Sequence, residues 1–206
     1  MPFLSLNPDH FDAVNTHIEA VTTPDGSALR VYKANKQMIF DTNTYAVLNE
    51  RDFHNGTLLC EMKSQLLPDA PDFARGFIGF IFRLAKDASA FESFYVRPTN
   101  GRGCEDPVRR GHGCQYFTYP RYTFAYYREH GITGFEAPVD VALGEWFPVK
   151  AVIQDAVADF YVRDMEHPVL HVSRMNLPAD AMGRIGFYVD TGTDALFRNL
   201  EVSFDD

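Results

Sequence analysis

From residue 56 onward, short runs rich in β-branched and aromatic residues recur with turn-forming clusters between them. This pattern limits the chain to an all-β architecture. The runs are GTLLCEMKSQLL (56–67), GFIGFIFRL (76–84), FESFYVR (91–97), GCQYFTY (113–119), WFPVKAVIQ (146–154), ADFYVRD (158–164), RIGFYVD (184–190) and FRNLEVSF (197–204). KDAS, RPTNGRG, TYPR, LGE, QDA, MEHP and DTGTD separate them. Side chains alternate between faces with the period of two that strands impose, and helical periodicity is hard to find. Weaker strands are expected at ALRVYK (28–33) and TYAVLN (44–49), a short helix or turn over 6–14, and a tight hairpin at QDAV. Strands this short and this many close into a sandwich or a barrel. The expectation is one domain over 1–206, with two antiparallel sheets in a jelly roll. A chain of this length can bury a core without staples.

Charge narrows the partners. Twenty-eight acidic against 19 basic residues give a net charge of −9. That argues against general nucleic-acid binding, which needs a basic footprint, and against adsorption to anionic membranes. No apolar run reaches the roughly 18 residues of a spanning helix, and MPFLSLNPDHFD carries no secretory signal pattern. Three cysteines are too few for a disulfide framework. A cytoplasmic location is the expectation.

Alternation also sorts the faces. Ile78, Phe80, Phe82, Phe94, Val96, Val149, Ala151, Ile153, Phe160 and Val162 form the inward set. Gly79, Ile81 and Arg83, then Ser93, Tyr95 and Arg97, then Lys150, then Asp159, Tyr161 and Arg163 fall on the opposite faces. Tyrosine offers an apolar plate with a polar tip and arginine a rigid fork of donors, a mixture that suits a hydroxyl-rich or anionic ligand. A solvated outer face carries the same residue types, so alternation alone leaves both readings open. Between strands, Arg97, Arg102, Arg109, Arg110 and His112 make residues 97–112 locally basic against only Glu105 and Asp106.

Taken in order, DFHNGTLLCEMK (52–63), GFIGFIFRL, FESFYVRPTNG (91–101), GEWFPVKAVI (144–153), ADFYVRD, PVL (168–170) and GRIGFYVDTGTDALFRNLEVS (183–203) resemble the concanavalin A-like lectin/glucanase jelly roll. The likeness is closer to bacterial domains of the laminin-G-like and 3-keto-disaccharide hydrolase type. These motifs specify fold rather than activity. The resemblance implies carbohydrate recognition on a concave sheet built from 76–84, 91–97, 113–119, 146–154 and 158–164, with 56–67, 184–190 and 197–204 on the convex one. Arg83, Tyr95, Arg97, Gln115, Lys150, Asp159, Tyr161 and Arg163 would then lie near the groove. Asn100, Arg102, Arg109, Arg110 and His112 would sit on a rim loop. Arg97→Ala is expected to abolish binding without lowering the thermal midpoint.

The chain departs from its catalytic likenesses. The Glu-x-Asp-x-x-Glu strand of laminarinase-type members is absent, and a retaining mechanism needs two carboxyl groups about 5–5.5 Å apart. If the protein is a hydrolase or lyase, Glu92, His112, Asp159 and Tyr95 are the groups to weigh. A scaffold without a small ligand is the third reading. Cys104, His112 and Cys114 form C-x7-H-x-C, a spacing that matches no common zinc site; two free thiols or one disulfide fit it better. His167 and His171 in HPVLH lie about 13 Å apart on a strand and suit no metal. Trp146 is expected to pack, and YPRYTFAYYREHG (119–131) is either an edge strand pair or an aromatic rim. No cofactor is expected, although the resemblance leaves a structural calcium on loop carbonyls open.

Overall fold

The expected strands form, and they divide between two sheets packed face to face. The computed structural model describes residues 3–49 and 52–205. In chain order the strands are β1 (Phe11–Val14), β2 (Thr16–Thr23), β3 (Gly26–Lys33), β4 (Tyr45–Leu48), β5 (Asn55–Leu66), β6 (Ile78–Leu84) and β7 (Phe91–Val96). There follow α1 (Pro107–Arg110), β8 (Cys114–Tyr119), α2 (Phe124–Glu129), β9 (Glu136–Ala137), β10 (Phe147–Gln154), β11 (Val157–Val162), β12 (Leu170–Val172), β13 (Arg184–Val189) and β14 (Thr193–Asp205). The first sheet runs β1-β4-β13-β6-β7-β8-β9 and the second β12-β11-β10-β5-β14-β3-β2. The paired strands are antiparallel throughout.

This order corrects the sheet assignment. Residues 146–154 and 158–164 pair with β5 and each other in the second sheet, while 184–190 joins the first. The reason is the chain path: β13 slots between β4 and β6, and β5 and β14 pair along most of their length in the other sheet. Local alternation carries no record of such long-range pairing.

The inward set is as the alternation predicts. Phe80, Phe82, Phe94 and Val96 meet Val149, Ala151, Ile153 and Phe160 between the sheets, all buried. Two stacked pairs cross the interface: Phe94 on Phe160, with ring centres 4.3 Å apart, and Phe187 on Phe197 at 4.0 Å. The outer face of the first sheet is also covered. Tyr45, Val47, Phe77, Ile81, Phe91, Tyr95, Phe117 and Tyr188 form a second buried cluster there, with Phe40 and Val14 against it. This explains why β6 and β7 read as apolar on both faces, as strands buried on both sides do. Gly79 lies opposite both Tyr95 and Tyr188, and those rings stack across it at 5.3 Å. A Cβ at Gly79 would lie 2.0 Å from the Phe94 carbonyl, so only glycine fits.

Two local predictions change. Arg83 does not stay on the outer face. Opposite Ile185, β6 carries the extra residue of a bulge, and Arg83 adopts φ 53°. A bulge re-aims side chains, and Arg83 turns into the gap between the sheets, where it pairs with Glu92 at 3.4 Å. Residues 124–129 of the tyrosine-rich segment are helical rather than a strand pair, because Thr123 caps them by accepting from Tyr126 N. Pro120, without an N–H, cannot extend the β8 ladder.

Candidate functional site

Tyr95 and Arg97 leave the end of β7 on the outer face of the first sheet, and the loop that follows folds back over them. Pro98–Asn100 makes one 3-10 turn. Asn100 then ties the loop together: its Nδ2 donates to the His112 carbonyl at 3.0 Å and its Oδ1 accepts from Arg109 Nη2 at 3.1 Å. Asp106 caps α1 by accepting from Val108 N and Arg109 N, and Pro107 at the first helical position is pre-set for the turn. The loop thereby becomes one wall of a cavity of about 470 Å³.

Phe40, Phe73, Phe77, Tyr95, Phe124 and Val108 supply the apolar lining of this cavity and Arg75, Arg97, Asn100, Arg109, His112 and Arg128 the polar lining, with Arg128 lying over the Phe124 ring at 5.2 Å. Phe40 anchors the apolar lining by packing on Phe73, Phe77 and Phe124, with ring centres 5.4–5.8 Å apart. The volume falls within the roughly 300–1,000 Å³ typical of small-ligand sites.

Arg97 is 5% exposed. Its Nη1 donates to Glu136 Oε1 at 2.8 Å and to the His112 carbonyl at 3.1 Å. Its Nη2 donates to the Tyr95 hydroxyl at 2.8 Å and to Gln115 Oε1. Gln115 is wholly buried beneath it. Arg97 is therefore held by the protein itself, an arrangement that argues against its removal sparing stability. Burial lifts the Tyr95 phenol well above its ordinary pKa, so the ring stays neutral. Glu136 is shared: its Oε2 lies 2.8 Å from His112 Nδ1, and its Oε1 is 3.3 Å from Arg128.

Behind the cavity, Asp41 is 1% exposed at φ 52°. Its Oδ2 accepts from Phe124 N at 2.7 Å, its own N–H donates to Asp190 Oδ2 at 3.3 Å, and its Oδ1 has no partner. Burial raises its pKa to about 7, with the Asp190 charge adding and the Phe124 N–H and Arg97 opposing.

The other predicted site residues lie elsewhere. Lys150, Asp159, Tyr161 and Arg163 sit on or just past β10 and β11, in the opposite sheet. Lys150 lies over the Tyr161 ring and donates to the Met165 carbonyl, Asp159 pairs with His171 at 2.7 Å, and Arg163 pairs with Glu145 at 3.1 Å. Arg102 is paired with Asp140 and Glu145 on an exposed edge, and Arg110 borders the same depression. Of the rim loop, Asn100, Arg109 and His112 reach the cavity and Arg102 and Arg110 do not.

The acid/base candidates do not converge. Glu92 is buried between the sheets, held by the Tyr116 hydroxyl at 2.6 Å, Leu177 N and Arg83, and burial raises its pKa. Asp159 belongs to the other sheet, so only His112 and Tyr95 share the cavity. Cys104 and Cys114 are free, and Cys114 is buried with its thiol pushed up to about 12. Among the described residues, no three His, Cys, Asp or Glu side chains cluster as metal ligands would.

Sequence reasoning missed Phe40, Phe73, Arg75 and Glu136; Phe124 and Arg128 fall in the 119–131 segment, where the cavity lining favours the aromatic-rim alternative, though that reading named neither residue. Phe40, Phe73 and Arg75 lie in the connections before β4 and β6, where no periodic pattern marks them. The nearest signal is the aromatic–basic string PDFARGF immediately before β6.

Two packed seven-stranded sheets with this connectivity make the fold a concanavalin A-like jelly-roll sandwich. The chain is similar in structure to the carbohydrate binding module CBM66 from Bacillus subtilis, at 15% identity and a TM-score of 0.60, covering 98% of this chain and 99% of that one. It is also similar to a Bacillus subtilis protein of unknown function with a galectin-like fold, at 13% identity and a TM-score of 0.54, covering 92% and 88%. The alginate lyase AlgAT5 of polysaccharide lyase family 7 matches at 10% identity and a TM-score of 0.50, covering 90% and 82%. No protein-family model and no curated protein matches the chain.

Proposed function

We propose that the protein binds carbohydrate in the cavity between the 97–112 loop, α2 and the connections before β4 and β6. The observation that carries this reading is a cavity of about 470 Å³ whose lining combines phenylalanines with arginine and asparagine donors. A sugar ring presents an apolar C–H face and a rim of hydroxyls, and this lining complements both. The carbohydrate binding module and the alginate lyase named above support the reading at the level of ligand class.

Recognition is favoured over two-carboxylate hydrolysis. Among the described residues, Glu136 is the one carboxylate hydrogen-bonded to the cavity's arginines, and it already serves Arg97 and Arg128. A broad glycan array followed by calorimetry on the hits tests the proposal. Phe73→Ala is expected to weaken a bound oligosaccharide about tenfold, the equivalent of ~1.4 kcal/mol of lost stacking. Absence of binding across the array overturns it.

A further inference from the structure

Among the described residues, the cavity is where half-buried arginines stand without a carboxylate partner. Among the described arginines that are buried or half-buried, Arg30, Arg83, Arg97, Arg184 and Arg198 each pair with a carboxylate. Arg75 and Arg109 are the two that do not, and both line the same cavity. Arg75 Nη1 reaches only the carbonyls of Asp72 and Ala74, each at 2.7 Å. Arg109 reaches Asn100 Oδ1 and, at 3.5 Å, Thr99. Neutral oxygens satisfy donors without cancelling charge, and a half-buried cation is costly to leave uncompensated. Burial and the neighbouring positive charges of Arg109 and Arg97 hold the Arg75 pKa below its ordinary value. Acids are abundant elsewhere in the chain, 28 against 19 bases, so the missing counter-charge is local.

Resting on the carbohydrate reading, we infer that the ligand is an acidic sugar whose oxyanion, carboxylate or sulfate ester, is seated between Arg75 and Arg109 with its ring against Phe40 and Phe73. Guanidinium forks take carboxylate and sulfate oxygens in parallel pairs of charge-assisted hydrogen bonds. Arg128 adds to the positive charge of the lining, and Glu136 beside it is already engaged by Arg97 and Arg128. An inorganic anion would leave the phenylalanine lining unused, so the charge belongs on an amphipathic molecule.

The test is calorimetric titration of the full chain with three probes: hexagalacturonate, its methyl ester, and a sulfated galacto-oligosaccharide. Hexagalacturonate or the sulfated probe is expected to bind at least tenfold tighter than the uncharged ester, and the preferred one identifies the oxyanion. Arg75→Gln and Arg109→Gln should each reduce that affinity at least tenfold, and Arg109→Lys should reduce it less. Thermal melts of the ligand-free variants provide the control. Arg75→Gln removes an arginine with no acid partner and should leave the midpoint unchanged or raised, whereas a purely structural role would lower it; Arg109→Gln also loses its bond to Asn100, so Arg109→Lys is the control at that position. Binding of both charged probes no tighter than the ester, or unaltered affinity in both glutamine variants, overturns the inference and leaves the carbohydrate reading standing. Binding of no saccharide in the array or the titrations overturns both.

Discussion

Asp41 and Arg97 show how single buried charges support the cavity from behind. Asp41 has a folded-state pKa of about 7 against an ordinary 3.8. A carboxyl whose pKa is raised on folding holds its proton more tightly in the folded state. Its contribution to stability is therefore greatest below about pH 4, falls as pH rises through the window to about 7, and levels off above it. The shift corresponds to on the order of 4 kcal/mol across that window. Asp41→Asn should flatten this part of the stability–pH profile, and urea melts of the two proteins at pH 4, 5.5 and 8 would show it. Burial is the main cause, with the Phe124 N–H, Arg97 and the Tyr95 hydroxyl opposing it and Asp190 adding to it. For Arg97→Ala, loss of the bonds to Glu136, Tyr95 and Gln115 should cost about 3 kcal/mol. The thermal midpoint should then fall by roughly 6–12 °C. An unchanged midpoint would show that these bonds contribute nothing net.

At the scale of an element, the bulge in β6 is the feature that most altered the reading of the sequence. Alternation places Arg83 with Gly79 and Ile81. The bulge breaks the period one residue before the strand ends and sends the guanidinium to the His54 carbonyl at 3.1 Å, the Asp155 carbonyl at 2.6 Å and Glu92. Arg83 thus ties β6 to the start of β5 and to the β10–β11 turn in the other sheet. Both Arg83 and Glu92 have fully buried side chains. Arg83→Ala should destabilise the protein by about 3–5 kcal/mol, because it strands a buried carboxylate. A lower urea midpoint with an unchanged slope would mark this as a loss of stability rather than a change of fold. Alternation correctly separated Tyr95 and Arg97 from Phe94 and Val96, because β7 is regular from end to end. It failed at Arg83 because a period-two pattern does not report where one extra residue enters a ladder.

The whole molecule is held by the layer between the sheets, and its aromatic stacks join strands far apart in sequence. Phe160 lies within 4.3 Å of Phe94, ring centre to ring centre, and also contacts Phe82 and Tyr116. Phe160→Ala should cost about 3–5 kcal/mol, the usual price of a large cavity, and calorimetry should show one broadly lowered transition. The strand carrying Phe160 is remote from the cavity, so the variant should keep its ligand affinity at temperatures where it remains folded. A matching loss of affinity there would mean that the cavity and the far sheet are coupled.

The amino-acid sequence by itself determined the all-β class, most of the strands though not β1, β2 or β9, and which side of β6, β7, β10 and β11 faces inward up to the bulge at Arg83. These follow from local alternation and turn chemistry. It also marked the 97–112 loop, whose Asn100, Arg109 and His112 line the cavity. Tertiary structure alone decided which strands share a sheet, and so removed Lys150, Asp159, Tyr161 and Arg163 from the site. It likewise supplied Phe40, Phe73, Arg75, Phe124 and Arg128 from three other segments. Strand order and loop docking are set by contacts between residues distant along the chain, and a periodicity read over seven or eight neighbours holds no information about them. The same holds for charge. The net −9 is visible in the composition, but only the folded chain shows two half-buried arginines facing one cavity with no acid between them.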